Sequence, residues 1–142
     1  EEIHREIFST YSIGKVMFLS KVLSDIEYFA DGQVAVVHIE EQHLNKHELE
    51  MDDSRDIIDM VMNITSVQGA ALFREEGEGI YKLSLRSKGQ FEVLGIAESF
   101  SGGGHLYAAG ATLHGEYEHV KLEVVDHFLQ RIDARKKSSK LE

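Results

Sequence analysis

SFSGGGHLYAAGATL, residues Ser99–Leu113, places three consecutive glycines and a histidine between a helix-like segment and a strand-like one. Glycine has no Cβ atom, so consecutive glycines can turn their backbone N–H groups toward one point and form a nest for an anion. If a helical turn begins at HLYAA, residues 105–109, its free N–H groups strengthen that site, and Gly110 ends the turn. The candidate anion ligands are Gly102, Gly103, Gly104 and His105.

A predicted strand upstream of the glycines supports this interpretation. In IYKLSLRSK, residues 80–88, alternation places Lys82, Ser84 and Arg86 on one face and apolar side chains on the other. Arg86 can hold a phosphate through two parallel hydrogen bonds. The alternatives are an ordinary solvated sheet face for this strand and a flexible connection for the glycine loop.

Composition limits the possible functions. The chain has 142 residues, 42% of them hydrophobic, which suits one domain with one core. A formal net charge of −10 opposes a broad nucleic-acid-binding surface but permits a locally positive pocket for a small anion. The absence of cysteine excludes disulfides and thiol chemistry and suits a reducing compartment, so we expect a cytoplasmic protein. No apolar run is long enough to span a membrane, and no membrane partner is expected.

Apolar periodicity predicts an α/β fold: a single compact domain with a mixed central β-sheet flanked by helices. The predicted helices cover residues 12–29, 54–64, 91–100 and 116–137. The predicted strands cover residues 33–40, 67–76, 80–88 and 110–115. Expected helix caps are Ser12 for the first of these helices and Asp53 or Ser54 for the second. The residues expected to face inward are Val16, Leu19, Leu23 and Ile26 in the first helix and Leu122, Val125, Leu129 and Ile132 in the last.

LSLRSKG, residues 83–89, followed by FSGGGHLYAAGATL, residues 100–113, resembles the C-terminal substrate-binding domain of DHH-type phosphoesterases, the DHH-associated domain. VLSDIEYFADGQVAVVHI (residues 22–39) and GAALFREEGEGIYKLSLRSK (residues 69–88) extend the resemblance over nearly the whole chain. The resemblance is greatest to the branch of oligoribonucleases (nanoRNases) and phosphoadenosine-phosphate phosphatases, and the family includes exopolyphosphatase-related proteins.

The resemblance implies a role and a set of site residues. In the complete enzymes an N-terminal catalytic domain holds two metal ions, typically manganese, through Asp and His side chains, and the C-terminal domain brings the substrate to them. No catalytic residue, metal ligand or cofactor is then expected in this chain, and the chain alone is expected to be inactive. The substrate-binding residues implied are Arg86, Gly102, Gly103, Gly104 and His105, with Ser84 and Ser87 beside Arg86.

The same resemblance gives the expected domain organisation and partners. Residues 1–14 are predicted to be an interdomain linker helix region, residues 15–134 the substrate-binding domain, and residues 135–142 a disordered tail or expression scar. The expected partners are short RNA or DNA oligonucleotides or nucleotide phosphates, together with an N-terminal catalytic domain of the same protein.

The sequence departs from the family pattern at three places. Ser101 stands where a fourth glycine is common, and Leu106 and Tyr107 replace positions that often include a basic residue. Tyr107 could either stack on a nucleobase or pack internally. Asp126-His127 lies on the closing helix without a second histidine, so it does not match the catalytic Asp-His-His segment.

Other polar residues have structural interpretations. His43 and His47 could share a helical face, but no third metal ligand has a convincing spacing. His38 is expected to be a hydrogen-bonded core histidine, and Arg74 or Glu75 is expected to form a cross-strand ion pair near Arg86.

Two other functions stay open at this point. A non-catalytic nucleic-acid-binding module is one, since related domains are appended to alanyl-tRNA synthetases. An assembly domain whose glycines merely form a turn is the other.

Overall fold

The structure, a computed structural model, describes residues 11–40 and 52–141, and within these ranges it contains four helices and one six-stranded sheet. The helices are α1 (Ile13–Ser24), α2 (Asp52–Met62), α3 (Leu94–Ser99) and α4 (Tyr117–Leu141). The strands are β1 (Glu27–Phe29), β2 (Val34–Ile39), β3 (Gly69–Gly77), β4 (Ile80–Ser87), β5 (Gly103–His105) and β6 (Ala108–His114). The predicted mixed α/β fold is confirmed. Across residues 11–40 and 52–141, no helix combines the length and the apolar character needed to cross a bilayer.

The strand order is β1-β2-β3-β4-β6-β5. Strands β2 and β3 are parallel, and the other neighbouring pairs are antiparallel. Strand β2 is almost entirely buried, as its continuous apolar sequence predicts. The predicted hairpin of β3 and β4 is also present, and Gly79 has the positive φ (71°) that its tight connection requires.

The two faces of the sheet are covered differently. On one face, helices α3 and α4 pack against side chains from β2, β3, β4 and β6 to form the larger core. On the other face, helices α1 and α2 pack mainly against β2 and β3, and this smaller core contains no residue of β4, β5 or β6 among the described residues. The second face is therefore left open over the half of the sheet formed by β4, β6 and β5.

The first and last helices differ from prediction in their ends and buried faces. Ser12 caps α1 by accepting the Lys15 N–H at 3.1 Å, as predicted. The helix ends at Ser24, however, because the following residues pair with β2 as strand β1. Val16 and Leu122 were expected to face inward and are 52% and 56% exposed. The larger Phe18 and Phe128 supply the buried contacts in α1 and α4 instead.

Two helix ends also differ from prediction. Helix α2 begins at Asp52, so the expected caps Asp53 and Ser54 lie within the helix. Helix α4 continues to Leu141 and includes residues 135–141, where a disordered tail was expected. The proposed boundaries at residues 14/15 and 134/135 stay predictions.

The glycine segment forms a helix cap followed by a hairpin. The N–H of Ser101 donates to the Glu98 carbonyl at 3.0 Å, and that of Gly102 donates to the Ala97 carbonyl at 2.8 Å. These two bonds are the Schellman pattern that ends a helix. The next residues form β5, and Leu106 and Tyr107 connect it to β6.

The predicted helical turn over residues 105–109 is therefore wrong. Gly110 lies inside β6, where it pairs with Ser84 on one side and Gly103 on the other. The extended conformation is favoured over a helical turn because every residue from Ala108 to His114 pairs with β4.

Replacing Ser101 by glycine is expected to stabilise the fold. Ser101 has φ of 63°, a left-handed conformation that costs a residue with a Cβ about 1–2 kcal/mol. Glycine relieves this cost but loses more chain entropy on folding, which leaves a gain of about 0.5–1 kcal/mol in the free energy of unfolding. Urea denaturation measures it. The same change at Ser99, inside α3, is the matched control and should destabilise; a loss of stability in S101G would contradict the strain argument.

His38 lies in an aromatic cluster at the end of β2. Its ring stacks on Tyr117 with centroids 3.7 Å apart and meets Tyr81 edge-on at 5.9 Å. Its Nε2 is buried and has no hydrogen-bond partner among the described residues, so the hydrogen bond predicted for this core histidine is not made at Nε2. Burial lowers the pKa of His38 below its ordinary value of 6.5, because a charged ring would lose hydration there.

This lowered pKa predicts acid sensitivity. Below about pH 6.5 the unfolded chain binds a proton at His38 more readily than the folded chain does, so stability falls as pH falls. His38→Phe keeps the stacking and removes the titration. The variant should therefore gain stability relative to wild type between pH 7.5 and pH 5.5 in urea titrations. The exposed His114→Phe serves as the control, and a wild-type and H38F difference that is constant with pH would refute the prediction.

Candidate anion-binding site

Strand β4 supplies the centre of the candidate site. Lys82, Ser84 and Arg86 alternate onto the open face of the sheet, as the sequence predicts, while Leu83 and Leu85 are buried in the larger core on the other face. Because successive same-face residues in a strand lie about 6.7 Å apart, Lys82 and Arg86 are separated by about 13 Å along the backbone.

A cavity of about 480 Å³ lies over this row. Its floor is strands β4 and β6, including the segment Ala108–Gly110, and its wall is helix α2. Its charged lining side chains are Arg55, Arg74, Lys82 and Arg86. No carboxylate from residues 11–40 or 52–141 lines it, so it is a concentration of positive charge on a chain whose net charge is −10. Such a site attracts a small anion despite the overall charge of the protein.

Arg74 is the most buried of these cations. It is 8% exposed, and its Nη2 forms an ion pair with Glu76 Oε1 at 2.5 Å. The partner lies two residues along the same strand, and Arg74 is opposite Lys82 in the register, so the expected cross-strand ion pair beside Arg86 is wrong. Glu76 compensates a guanidinium that would otherwise be costly to bury.

The glycine segment and His105 lie beside the cavity without lining it. Ala108 pairs with Arg86 on one side and with His105 on the other, and Gly110 stands in the same way between Ser84 and Gly103. The backbones of Arg86 and His105 are thus two strand spacings apart, about 10 Å. His105 is exposed, on the same face as Arg86. The sheet therefore brings these groups to one surface.

The three glycines have different structural roles. A Cβ at Gly102 would come within 2.6 Å of the Ala111 Cβ, and one at Gly104 within 2.7 Å of the Ala109 Cα. A Cβ at Gly103 would meet nothing within 4 Å. The N–H of Gly102 is already bonded to Ala97, so this donor is not free for an anion. Close packing between β5 and β6 explains Gly102 and Gly104 without a ligand.

Ser84 and Ser87 are separated by the pleat. Ser84 lines the cavity. Ser87 lies at the end of β4 on the other face, where its hydroxyl donates to the Phe91 carbonyl at 2.7 Å and accepts from the Gly89 N–H at 3.2 Å. The structure therefore does not bring Ser87 together with Arg86, and the contacts of Ser87 order the turn after β4.

Sequence reasoning missed two of the four charged residues that line the cavity. Arg55 lies on α2, far from β4 in the chain, and no local pattern connects the two elements. Arg74 was assigned to an ion pair. Strand alternation puts Arg74 on the same face as Leu72, which also lines the cavity, and this pattern could have indicated its position.

The metal and catalytic candidates do not join this site. His43 and His47 lie outside the described residues. Within residues 11–40 and 52–141, no group of three or more His, Asp or Glu side chains is arranged to hold a metal ion. His127, from the Asp-His pair on α4, has its Nε2 3.4 Å from the Ser99 hydroxyl and meets Phe100 edge-on.

Fold and site together define an α/β domain that presents a cationic cavity on the open half of a mixed sheet. The DHHA1 domain family matches residues 31–138, which include five of the six strands and the whole cavity. The chain belongs to the DHHA1 domain family, as the resemblance in its sequence indicated.

Relatives and a solved structure agree with this assignment. The bifunctional oligoribonuclease and PAP phosphatase NrnA of Thermus thermophilus is 32% identical over 118 residues, which are 80% of this chain and 34% of that protein. A membrane protein-large ribosomal subunit bL9 fusion protein of Aster yellows witches'-broom phytoplasma is 28% identical over 116 residues, 82% of this chain and 13% of that protein. The crystal structure of an exopolyphosphatase-related protein from Bacteroides fragilis superposes with a TM-score of 0.75 at 29% identity, covering 98% of this chain and 40% of that one. This chain therefore spans about a third or less of the length of these two sequence relatives.

Alanine substitutions in the glycine segment should separate packing from ligand binding. Gly102→Ala forces the backbone of β6 to move and should lower the free energy of unfolding by about 1–3 kcal/mol. Gly103→Ala is the matched control, since its methyl group enters open space. Denaturation curves of both variants test this, and equal stability of the two would contradict the packing explanation for Gly102.

Proposed function

We propose that this chain is the substrate-binding domain of a metal-dependent DHH-family phosphoesterase that hydrolyses short oligonucleotides or nucleotide bisphosphates. The observation that carries the proposal is the cationic cavity formed by Arg55, Arg74, Lys82 and Arg86. In this role Arg86 and Ser84 hold a phosphate group, Lys82 and Arg55 balance its charge, and His105 contacts the part of the ligand that extends over β5.

The size of the cavity favours a short ligand. A row of about 13 Å from Lys82 to Arg86 suits a ligand with one or a few phosphates. A long strand would extend from the cavity over a surface of a protein with net charge −10, where phosphate is repelled. The activities named for the NrnA relative, oligoribonuclease and PAP phosphatase, are consistent with ligands of this class.

The chemical step is proposed to require a separate domain of the same protein. The described residues do not fit a metal ion, so no metal-dependent step is assigned to them. The metal, typically manganese, is proposed to lie in an N-terminal catalytic domain, as the family resemblance implies. This chain would bind and orient the phosphate for that domain, and would not hydrolyse it alone. We propose a cytoplasmic location, which the absence of cysteine suits without requiring it.

Removal of one guanidinium should test the proposal. Arg86→Ala should weaken the binding of a 5′-phosphorylated dinucleotide about tenfold or more, since a hydrogen bond to a charged group contributes about 1.5–3 kcal/mol. Arg86→Lys should recover part of the loss, because it restores the charge but not the paired geometry. Arg135→Ala, on α4 and outside the cavity, is the matched control and should bind like wild type. Amide chemical shifts followed during titration give all four affinities.

The same titrations separate the competing functions. Strong binding of long single strands with a steep salt dependence would favour a nucleic-acid-binding module instead. Unchanged resonances around Arg86 at millimolar dinucleotide would favour an assembly domain. Metal-dependent hydrolysis by the purified chain would contradict the separate-domain requirement.

A further inference from the structure

A β-bulge near the end of β3 places Glu76 beside the cationic cavity. Its two neighbours in the chain pair with consecutive residues of β4, so Glu76 is an extra residue with no partner across the strands. Its carboxylate Oε1 lies 2.5 Å from the Nη2 of Arg74, a cavity residue. Bulges redirect side chains and are common next to functional sites. The redirected side chain is here the counter-ion of a residue in the cavity wall.

The Arg74 guanidinium retains donors for a ligand. Its bond to Glu76 is the only side-chain hydrogen bond that Arg74 makes within the described part of the chain. In that part, the one fully buried side-chain nitrogen or oxygen without a partner is His38 Nε2, so the remaining guanidinium nitrogens of Arg74 reach solvent. A guanidinium has five N–H donors in a fixed plane. The edge of Arg74 that Glu76 leaves free can therefore donate to an anion in the cavity that this residue lines.

Two cations face each other across β3 and β4 at this point. Arg74 pairs directly with Lys82 in the register, and like charges placed in this way destabilise a sheet. Glu76 compensates one of the two charges, and Lys82 forms no ion pair with any described residue. One positive charge of the pair is therefore left without compensation, and a ligand that brings two negative charges could compensate both cations without Glu76.

The two members of the ion pair differ in their freedom to leave it. The Glu76 side chain is 41% exposed, whereas that of Arg74 is 10% exposed. The carboxylate can turn into water and be hydrated there, while the guanidinium would stay largely buried and in need of a negative partner. Glu76 is therefore the member that an incoming anion can replace.

We propose that Glu76 acts as an exchangeable counter-ion, which holds Arg74 in the cavity wall until a phosphate of the ligand takes its place. Glu76 then turns to solvent. In this scheme Glu76 is a positioning residue and Arg74 is a ligand-binding residue. The inference rests on the proposed function, which supplies the phosphate. Because each binding event breaks an ion pair, Glu76 lowers the affinity of the cavity and favours release of the ligand.

Substitution of Glu76 tests this exchange, with the 5′-phosphorylated dinucleotide as the probe. Glu76→Gln should tighten binding about fivefold, the upper end for an ion pair with an exposed member. Glu75→Gln removes the same charge from the opposite face of β3 and should bind like wild type. Arg74→Met should weaken binding, and adding Glu76→Gln to it should change nothing further, because the ion pair is already absent.

A second measurement needs no substitution and so does not depend on the stability of a variant. In the wild type, the ¹³C signal of the Glu76 carboxyl carbon should move as the dinucleotide saturates the domain. It should move toward the signal of Glu78, an exposed glutamate on the turn between β3 and β4. The carboxyl signal of Glu75 should stay in place.

The outcomes separate this inference from the function on which it rests. If Glu76→Gln tightens binding equally with and without Arg74, Glu76 only repels the ligand and the exchange is refuted. A Glu76 signal that stays in place at saturation, or a Glu76→Gln affinity no higher than that of wild type, also refutes it. In these cases weaker binding by Arg86→Ala would show that the phosphate cavity stands. If wild type binds no dinucleotide at millimolar concentration and Arg86→Ala changes nothing, the cavity itself is refuted, and the exchange with it.

Discussion

The close pairing of β6 with β4 and β5 is the constraint on which the candidate site depends. At Gly110 the backbones come so near that a Cβ would lie 2.7 Å from the Leu83 carbonyl oxygen. Side chains of ordinary size at this position would push β6 away from β4, and the cavity floor would open. The glycines in this region therefore allow the strands to approach closely. This close approach in turn sets the distance between Arg86 and His105.

The candidate site exists because helices cover one face of the sheet only in part. Helices α1 and α2 complete the hydrophobic core over β2 and β3, and α2 ends the covered region with Arg55 at its border. Beyond it, Lys82, Ser84 and Arg86 on the open face of β4 lie outside both hydrophobic cores, so apolar side chains are not required at these positions. The cavity is formed where the covered half and the open half meet, which is why residues distant in the chain contribute to it.

The fold was predictable from the sequence to the extent that local patterns determine it. A continuous apolar run identified β2, the turn residues between two strand-like segments identified the β3–β4 hairpin, and helical periodicity identified the closing helix. It placed HLYAA in a helical turn and extended the first helix over Glu27–Phe29, since neither segment has a pattern of its own. Both become strands through pairing with distant partners, and such pairing overrides local propensity. The row of Lys82, Ser84 and Arg86 could be predicted because it lies within one strand. The contribution of Arg55 could not, because it depends on packing between elements that are distant in the chain.

The placement of charge around Arg74 explains how an acidic chain maintains a cationic cavity. A nearly buried guanidinium without a counter-charge would destabilise the fold, and Glu76 supplies that charge from a position outside the cavity lining. Within the part of the chain described, no carboxylate forms an ion pair with Arg55, Lys82 or Arg86, and their positive field is available to an incoming anion. The cations that line the cavity therefore have different structural roles. Arg74 is compensated by Glu76 in the wall, while the Arg86 guanidinium on the floor donates to the Leu85 carbonyl at 3.3 Å and has no carboxylate partner among the described residues.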